Sequence, residues 1–165
     1  MAVEDDQVHA CEKKPDVVSQ DPATVPDVHL DPSEHSARLL LERGIQGPVT
    51  MLNLLRFREV ADYSGFPHLA PSAPVSGAAA YDRYVRHTLP FLAASGGSVQ
   101  FFGTGGPYFI GPPDERWDLV MLTRQSSIQD FFAFASNEEY QAGIGHRTAA
   151  LEDSRLLPLV DRPLP

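Results

Sequence analysis

The sequence predicts a single domain of the α+β class, and three observations support this prediction. Strand-like and helix-like segments follow one another in the order β-α-β-β-α-β. A stretch rich in glycine and proline separates the second and third strand segments, as in a long hairpin. The chain length of 165 residues gives room for one domain with a hydrophobic core.

The N-terminal part of the chain differs in composition from the rest. Residues 1–34 hold nine acidic residues and both lysines, whereas the remaining chain holds thirteen acidic residues and eleven arginines. The net charge of -9 therefore belongs mostly to this part. We expect residues 1–28 to be a disordered or loosely attached acidic extension, because they contain three prolines and show no hydrophobic period.

Residues 29–46 are predicted to form an accessory helix that precedes the main domain, residues 47–165. Asp31 is the expected N-cap, Pro32 follows it in the first turn, and Gly44 follows the last turn. The apolar residues form one narrow stripe, so we expect this helix to lie against the body of the domain.

The first strand of the main domain is predicted at residues 48–57, with the sequence PVTMLNLLRF. Both faces of this segment are largely apolar, which is typical of a central strand that is covered on both sides. Asn53 is the exception, because it places a side-chain amide among apolar neighbours. The amide either bonds to nearby groups for structural reasons or serves as a polar contact for a ligand.

A loop and a helix follow the first strand. Residues 58–76 contain three prolines and no period, which indicates a lid or a mobile loop. Ser76 is the expected cap of a helix that ends at two glycines, 96 and 97, and Pro90 should kink or shorten it. Tyr84 is expected at the edge of the core stripe of this helix.

The remaining segments complete the predicted fold. SVQFFG and RWDLVMLTR predict two strands joined by a long hairpin. Capping patterns at Ser127 and Ser136 predict a second helical region in two segments. SRLLPLV predicts a last strand, which Pro158 places at a sheet edge or a strand end. This order is that of the ferredoxin-like split unit, with an antiparallel four-stranded sheet.

The residue types of the main domain exclude several chemistries. Both lysines and the single cysteine, Cys11, lie near the N-terminus, so the body has no Schiff-base amine, P-loop lysine or thiol nucleophile. The histidines show no metal-ligand spacing, and we expect no metal and no other cofactor. The nearly neutral body argues against nucleic-acid binding. Since no stretch has the pattern of a signal peptide or a membrane span, we expect a soluble cytoplasmic protein.

Four segments in this order resemble a known family. They are GPVTMLNLLRF, SGAAAYDRYVRHTLPFL, DERWDLVMLTR and NEEYQAGIGHRTAALEDSRLLPL. They are similar to the dimeric α/β-barrel family catalogued as domain of unknown function 1330, over residues 47–161. The resemblance implies a ferredoxin-like monomer that pairs with a second copy through its sheet face to form a closed barrel. The wider superfamily includes cofactor-free monooxygenases, isomerases and haem-degrading enzymes, which is an analogy at the level of fold.

The predicted strands supply four candidate site residues. Asn53 is one, and oxygenases and haem degraders of the superfamily also have an asparagine on the first strand. Trp117 is either a core anchor or a wall for a planar ligand. Asp118 and Arg124 face the same way on the third strand. Such charges either pair with a neighbouring strand or serve the site, Asp118 in catalysis and Arg124 in substrate binding.

The predicted helices supply four more. His146 is either an ordinary surface residue or a general base with a pKa near neutral pH. Arg147 either extends its charged end to solvent, pairs with a buried carboxylate such as Asp118 or Asp153, or binds the carboxylate of a ligand. Tyr84 and His87 lie three residues apart on one helix, where they are either solvated edge residues or together reach the mouth of a pocket.

The sequence as a whole predicts a homodimer that binds a small, partly apolar or aromatic organic molecule in a cleft within each monomer. The expected ligand-contacting residues are Asn53, Tyr84, Trp117, Arg124 and Arg147. One alternative is a cofactor-independent monooxygenase or isomerase, with His146, His87 or Asp118 in acid–base roles. The other is a non-catalytic dimeric interaction module, which would fill the space of a cleft of ~300 Å³ or more with side chains.

Overall fold

The computed structural model describes residues 28–165 of the chain. The predicted disordered extension therefore lies outside the described residues, except for its last position. The four strands are β1 (Val49–Phe57), β2 (Ser98–Pro107), β3 (Arg116–Gln125) and β4 (Leu151–Leu159). The five helices in this part of the chain are α1 (Glu34–Glu42), α2 (Gly77–Ala94), α3 (Ile128–Ala135), α4 (Glu138–Gln141) and α5 (Ile144–Ala150).

The strands form one antiparallel sheet in the order β2-β3-β1-β4. β1 lies at the centre, between β3 and β4. This topology confirms the predicted α+β class and the ferredoxin-like order of elements. β4 lies at an edge of the sheet, as Pro158 predicted, because proline cannot donate a hydrogen bond to a further strand.

The two faces of β1 have different surroundings. Val49, Met51 and Leu55 point towards the helices and are at most 1% exposed. Leu52 and Leu54 point the other way and are only partly buried. The expectation that β1 is covered on both sides is therefore wrong for a single chain, because the helices of the described residues pack against one face of the sheet.

A row of apolar side chains crosses the uncovered face of the sheet. The strand register places Phe101, Leu122, Leu52 and Leu157 in one row across all four strands. Phe101 and Leu157 are each about half exposed, at 51% and 53%. We call this surface, defined by the four residues of the row, the open sheet face.

Two hydrophobic clusters fill the space between the sheet and the helices. The larger cluster joins β1 and β4 to α2, α4 and α5, and it contains four buried tyrosines, Tyr63, Tyr81, Tyr84 and Tyr140. The smaller cluster joins the first half of β1 to α3. Leu40 of α1 packs against the smaller cluster, so the accessory helix is attached to the body of the domain.

The first helix begins later than the sequence analysis expected. The Ser33 side chain accepts a hydrogen bond from the Ser36 backbone N–H at 3.0 Å, and Glu34 is the first helical residue. Ser33 is therefore the N-cap, and the assignment of that role to Asp31 is wrong. Serine and aspartate are equally good caps, so residue type alone does not distinguish the two positions.

The second helix continues through Pro90 and ends at Ala94. Proline has no N–H, so one carbonyl in the preceding turn lacks its helical hydrogen bond. Pro90 is exposed, so water is available to that carbonyl. Tyr84 is buried within the larger cluster instead of lying at the edge of the helix. Compared with the predicted stripe, the core face of α2 is thus rotated towards Tyr84.

The second helical region contains three short helices, one more than the sequence predicted. Asn137 caps α4 by accepting a hydrogen bond from the Tyr140 backbone N–H at 2.8 Å. Gly143 then separates α4 from α5. A β-carbon on Gly143 would lie 2.1 Å from the His87 ring, so the glycine allows α2 to approach the chain between α4 and α5 closely.

The β1–α2 loop, residues 58–76, follows a defined path across α5. The Asp62 backbone N–H donates to the Ala149 carbonyl at 2.9 Å, and Ala61 donates to Val75 at the same distance. The ring of Phe66 packs against Gly145, where a β-carbon would lie 2.5 Å from it. The loop is therefore fixed by backbone hydrogen bonds and by packing.

Candidate functional site

An open cleft of about 680 Å³ lies at the end of the sheet where β1 ends and β3 begins. β1 and the β1–α2 loop contribute Phe57, Arg58 and Glu59, and the start of α2 contributes Ser76, Ala78 and Asp82. The β2–β3 hairpin contributes Thr104, Arg116, Asp118 and Leu119. The cleft is larger than the ~300 Å³ at the lower end of small-molecule sites.

The backbone next to the cleft is fixed by a junction of three chain segments. The Arg58 N–H donates to the Ala150 carbonyl at 2.9 Å, and the Gly77 N–H donates to the Arg58 carbonyl at 3.1 Å. A β-carbon on Gly77 would lie 2.4 Å from the Arg58 oxygen and 2.5 Å from the Ala150 oxygen. We call these three residues the Gly77 junction. Only glycine allows α2 to begin so close to the end of β1.

Asp118 is the sequence-predicted site residue that lines this cleft. One carboxylate oxygen, Oδ2, accepts a hydrogen bond from the Phe57 backbone N–H at 2.8 Å. The other oxygen, Oδ1, pairs with the Arg116 guanidinium. Both oxygens thus have a partner, and through its ion pair Asp118 positions Arg116 at the cleft.

Arg58 has a different environment from Arg116. Its Nε is buried and has no hydrogen-bond partner within residues 28–165. Together with the hydrogen bonds from Ser64, which have the larger effect, its positive charge lowers the pKa of Asp62. The sequence analysis missed both Arg58 and Arg116. The available signal was the occurrence of charged residues at the ends of two apolar strands.

Asn53 lies on β1, next to β3, and is 8% exposed. Its Nδ2 donates to the Met51 carbonyl at 3.2 Å and to the Met121 carbonyl at 3.4 Å. These bonds satisfy the amide hydrogens within the sheet. Asn53 is not among the residues that line the cleft.

Trp117 lies at the hairpin end of β3 and is 2% exposed. Its Nε1–H donates to the Tyr108 hydroxyl at 2.9 Å and to Glu115 Oε1 at 3.0 Å. The Arg155 guanidinium lies 5.2 Å from the centre of its ring. Met121, which pairs with Asn53, is four residues further along β3, or roughly 13 Å. The structure therefore does not bring Trp117 and Asn53 together.

Tyr84 is part of the aromatic core. Its hydroxyl bonds to the Tyr140 hydroxyl at 2.9 Å, and its ring centre lies 5.3 Å from that of Tyr81. Burial, followed by the proximity of Tyr84, raises the pKa of both Tyr81 and Tyr140 above the usual range. Tyr81 and Tyr140 are therefore neutral phenols within the core.

The two predicted ligand-binding arginines are engaged in other contacts. Arg147 donates to the Leu30 carbonyl at 2.7 Å and to the Ser154 hydroxyl at 3.2 Å, so it fastens the segment before α1 to β4. Arg124 pairs with Asp161 at 2.6 Å and also contacts Thr50. The expected ion pair with a neighbouring strand is therefore not formed by Arg124, because its partner Asp161 lies in the C-terminal segment after β4.

His87 faces the end of α4 from α2. Its Nε2 lies 3.0 Å from the Glu139 carbonyl and 3.1 Å from the Tyr140 carbonyl. Because both partners are acceptors, Nε2 must carry the proton. This histidine holds α4 against α2.

His146 of α5 is paired with the β1–α2 loop. Its Nδ1 lies 2.8 Å from the Tyr63 hydroxyl, and the two rings meet edge to face. Neither residue lines the cleft beside Asp118. The two histidines and the aspartate that were predicted to be catalytic therefore do not form one site.

The pKa of His146 lies below its ordinary value of 6.5, first because of burial and then because of charge on Arg83 and His87. The unfolded chain therefore binds a proton at higher pH than the folded protein does, so protonation favours unfolding. We expect stability to be full above pH 6.5 and to fall as the pH is lowered through the pKa of the folded protein.

This pH dependence can be measured by thermal unfolding between pH 7.5 and 5.5. The His146→Gln variant, which can still bond to Tyr63, should lose less melting temperature over this range than the wild type. His68→Gln, which replaces an exposed histidine of the β1–α2 loop, should behave as the wild type does. Equal slopes for all three proteins would contradict the assignment to His146.

Two further features of the described residues concern metal ions and membranes. No group of three or more histidine, cysteine, aspartate or glutamate side chains in residues 28–165 is arranged to hold a metal ion. Over the same residues, no helix is both long enough and apolar enough to cross a bilayer.

The fold and the cleft together define a class of protein: a small ferredoxin-like α+β domain with an open cavity at one end of its sheet. Protein-family models and curated proteins give no match to the chain, so membership of the family with domain of unknown function 1330 is not confirmed.

Solved structures do match. Methylated RPA0582 protein is 35% identical, with a TM-score of 0.71, and the match covers 84% of this chain and 96% of that chain. A second structure of RPA0582, a protein of unknown function from Rhodopseudomonas palustris, is 34% identical, with a TM-score of 0.70, and covers 84% and 98%. A dimeric protein of unknown function and ferredoxin-like fold from Bacteroides fragilis is 13% identical, with a TM-score of 0.43, and covers 69% and 96%. The chain belongs to the family of RPA0582.

Proposed function

We propose that this protein is a homodimer that binds a small, partly apolar organic molecule in the cleft beside the Gly77 junction. The observation that carries this proposal is the cleft of about 680 Å³, in which polar groups converge with apolar walls. Phe57 and Leu119 supply apolar surface, and Arg58 and Arg116 supply hydrogen-bond donors. Such a combination is typical of small-molecule sites.

The cleft supports binding over the role of an interaction module. An interaction module has no use for an open cavity and would fill it with side chains. The β1–α2 loop also supports binding, because it is fixed in place and both its ends, at Arg58 and Ser76, line the cleft. The residues that line the cleft replace Asn53, Tyr84 and Arg147 as the proposed ligand contacts.

The open sheet face supports the proposed dimer. Monomeric soluble proteins rarely expose a continuous apolar surface across a whole sheet. A second copy of the chain would cover the row formed by Phe101, Leu122, Leu52 and Leu157 with an identical row. The cleft opens beside the start of α2 and lies at the end of the sheet, so pairing of the sheets leaves it accessible.

The alternative of a cofactor-independent monooxygenase or isomerase has less support. Such an enzyme needs an acid or base that can reach its ligand. Asp118 lies in the cleft, but the Phe57 N–H and Arg116 occupy its oxygens. His146 pairs with Tyr63 outside the cleft. Binding without chemistry is therefore the function that the geometry supports best.

The binding proposal can be tested by filling the cleft. Ala78 lies in the cleft on the first turn of α2, and Ala93 lies exposed at the other end of the same helix. Aromatic acids, quinones and their uncharged analogues would be screened for a rise in the melting temperature, which a ligand specific for the folded state produces.

We expect a compound that stabilises the wild type to stabilise Ala93→Phe equally and to lose its effect on Ala78→Phe. A tenfold excess over the dissociation constant raises stability by about 1.4 kcal/mol, or roughly 3–6 °C for a chain of this size. A compound that stabilises Ala78→Phe as strongly as the wild type would place the binding site elsewhere.

A further inference from the structure

Arg58 is the described residue whose contacts remain least explained by the fold. Its backbone is fixed on both sides by the Gly77 junction, and its side chain lines the cleft. The Nε atom is withdrawn from solvent and has no acceptor within residues 28–165. A buried donor without an acceptor is costly, by about 1–3 kcal/mol, and native proteins seldom retain one without a reason.

The other partly buried arginines of the described chain are all paired. Arg56 forms ion pairs with Glu152 at 3.2 Å and Asp153 at 3.8 Å, although its Nε, like that of Arg58, makes no hydrogen bond. Arg124 pairs with Asp161 at 2.6 Å. Arg147 donates to the Leu30 carbonyl at 2.7 Å. No ion pair joins Arg58 to any carboxylate of residues 28–165. Arg58 is therefore distinguished from these three arginines because it is partly buried and lines the cleft but forms no ion pair.

The surroundings of Arg58 favour an acceptor that carries one negative charge and an apolar body. Arg116 is already paired with Asp118, so that part of the cleft is close to neutral. The carboxylates of Glu59 and Asp82 lie at exposed positions around the cleft and disfavour a ligand with several negative charges. Phe57 and Leu119 provide apolar surface next to the arginine.

We propose that Arg58 binds the carboxylate of an organic monocarboxylic acid whose apolar part lies against Phe57 and Leu119. The guanidinium group matches a carboxylate with two parallel N–H···O bonds, which a point charge does not provide. This inference rests on the proposed function of the cleft and deepens it by naming the ligand class. The positive end of α2, which begins beside the cleft, adds to the attraction for a carboxylate.

The test compares an acid with its uncharged analogue. Binding of 2-naphthoate and of 2-naphthamide to the full-length protein would be measured by isothermal titration calorimetry. The variants are Arg58→Gln, Arg58→Lys and Arg86→Gln, the last of which replaces an exposed arginine on α2. Melting temperatures establish that each variant is folded, and Arg58→Lys replaces Arg58→Gln if the latter fails to fold.

We expect 2-naphthoate to bind the wild type and Arg86→Gln at least tenfold more tightly than 2-naphthamide, which is the effect of one charge-assisted hydrogen bond or more. Arg58→Gln should reduce this ratio to about one, and Arg58→Lys should retain only part of it, because lysine keeps the charge but loses the planar fork.

Four results would overturn the inference. The first is equal affinity of the acid and the amide for the wild type. The second is a preference for the acid that persists in Arg58→Gln. In either of these, loss of both ligands in Ala78→Phe would leave the cleft itself supported. The third is tighter, Arg58-dependent binding of 2-naphthyl phosphate, which would replace the carboxylate with a phosphoryl group. Binding of neither naphthalene compound to the wild type would contradict both the inference and an aromatic ligand for the cleft.

Discussion

Replacement of Gly77 by alanine is expected to destabilise the protein by about 3 kcal/mol, at the upper end of the cost of overpacking. The added β-carbon would lie within 3.0 Å of three backbone atoms, two on Arg58 and one on Ala150. Backbone atoms cannot rotate away as side-chain atoms do. The start of α2 must therefore move, and the hydrogen bond from the Gly77 N–H to the Arg58 carbonyl must lengthen.

Urea unfolding of the wild type, Gly77→Ala and Gly65→Ala would measure this effect. Gly65 is the matched control, because it lies in the adjoining loop and no atom lies within 4 Å of an added β-carbon. We expect Gly65→Ala to change stability by less than about 1 kcal/mol, through its effect on the unfolded chain. A Gly77→Ala protein as stable as Gly65→Ala would mean that the junction is not closely packed in solution.

Replacement of Leu157 by glutamate is expected to convert the proposed dimer to monomers, with a dissociation constant raised at least a hundredfold, or about 2.7 kcal/mol. Leu157 lies at the end of the row that crosses the open sheet face. In a dimer paired through this face, the new carboxylate would lose water in each subunit and would find no cation in the apolar row.

Sedimentation equilibrium or light scattering would compare the wild type, Leu157→Glu and Leu41→Glu. Leu41 is a matched control because it is 59% exposed on α1, close to the 53% of Leu157. Leu41→Glu should remain dimeric. A monomeric wild type, or dissociation of both variants alike, would contradict pairing through the open sheet face.

Most of the fold was predictable because it depends on patterns that are local in the sequence. The apolar character of both faces of PVTMLNLLRF placed β1 at the centre of the sheet, and Pro158 placed the last strand at an edge. The errors concern choices between near equivalents. Ser33 and Asp31 are both good N-caps. Which face of α2 is buried depended on whether the Tyr84 hydroxyl found a hydrogen-bond partner.

The candidate site was less predictable, because contacts between distant residues decide it. Tyr84 bonds to Tyr140 across two helices, and the amide of Asn53 bonds to the Met121 carbonyl on the next strand. Neither partner can be read from spacing. Arg58 was overlooked for the opposite reason. An arginine at the end of a strand is usually solvated, and only the structure reveals that its Nε is buried without an acceptor.

The Gly77 junction also has a consequence for how binding preferences can diverge among relatives. The wall of the cleft next to the junction is built from hydrogen-bonded main chain, and its geometry depends on one residue without a side chain. Substitutions at Ala78, Thr104 or Leu119 change the lining without moving that wall. Under the proposed binding function, an exchange of single side chains in the lining would therefore change which ligand fits while the geometry of that wall stays the same.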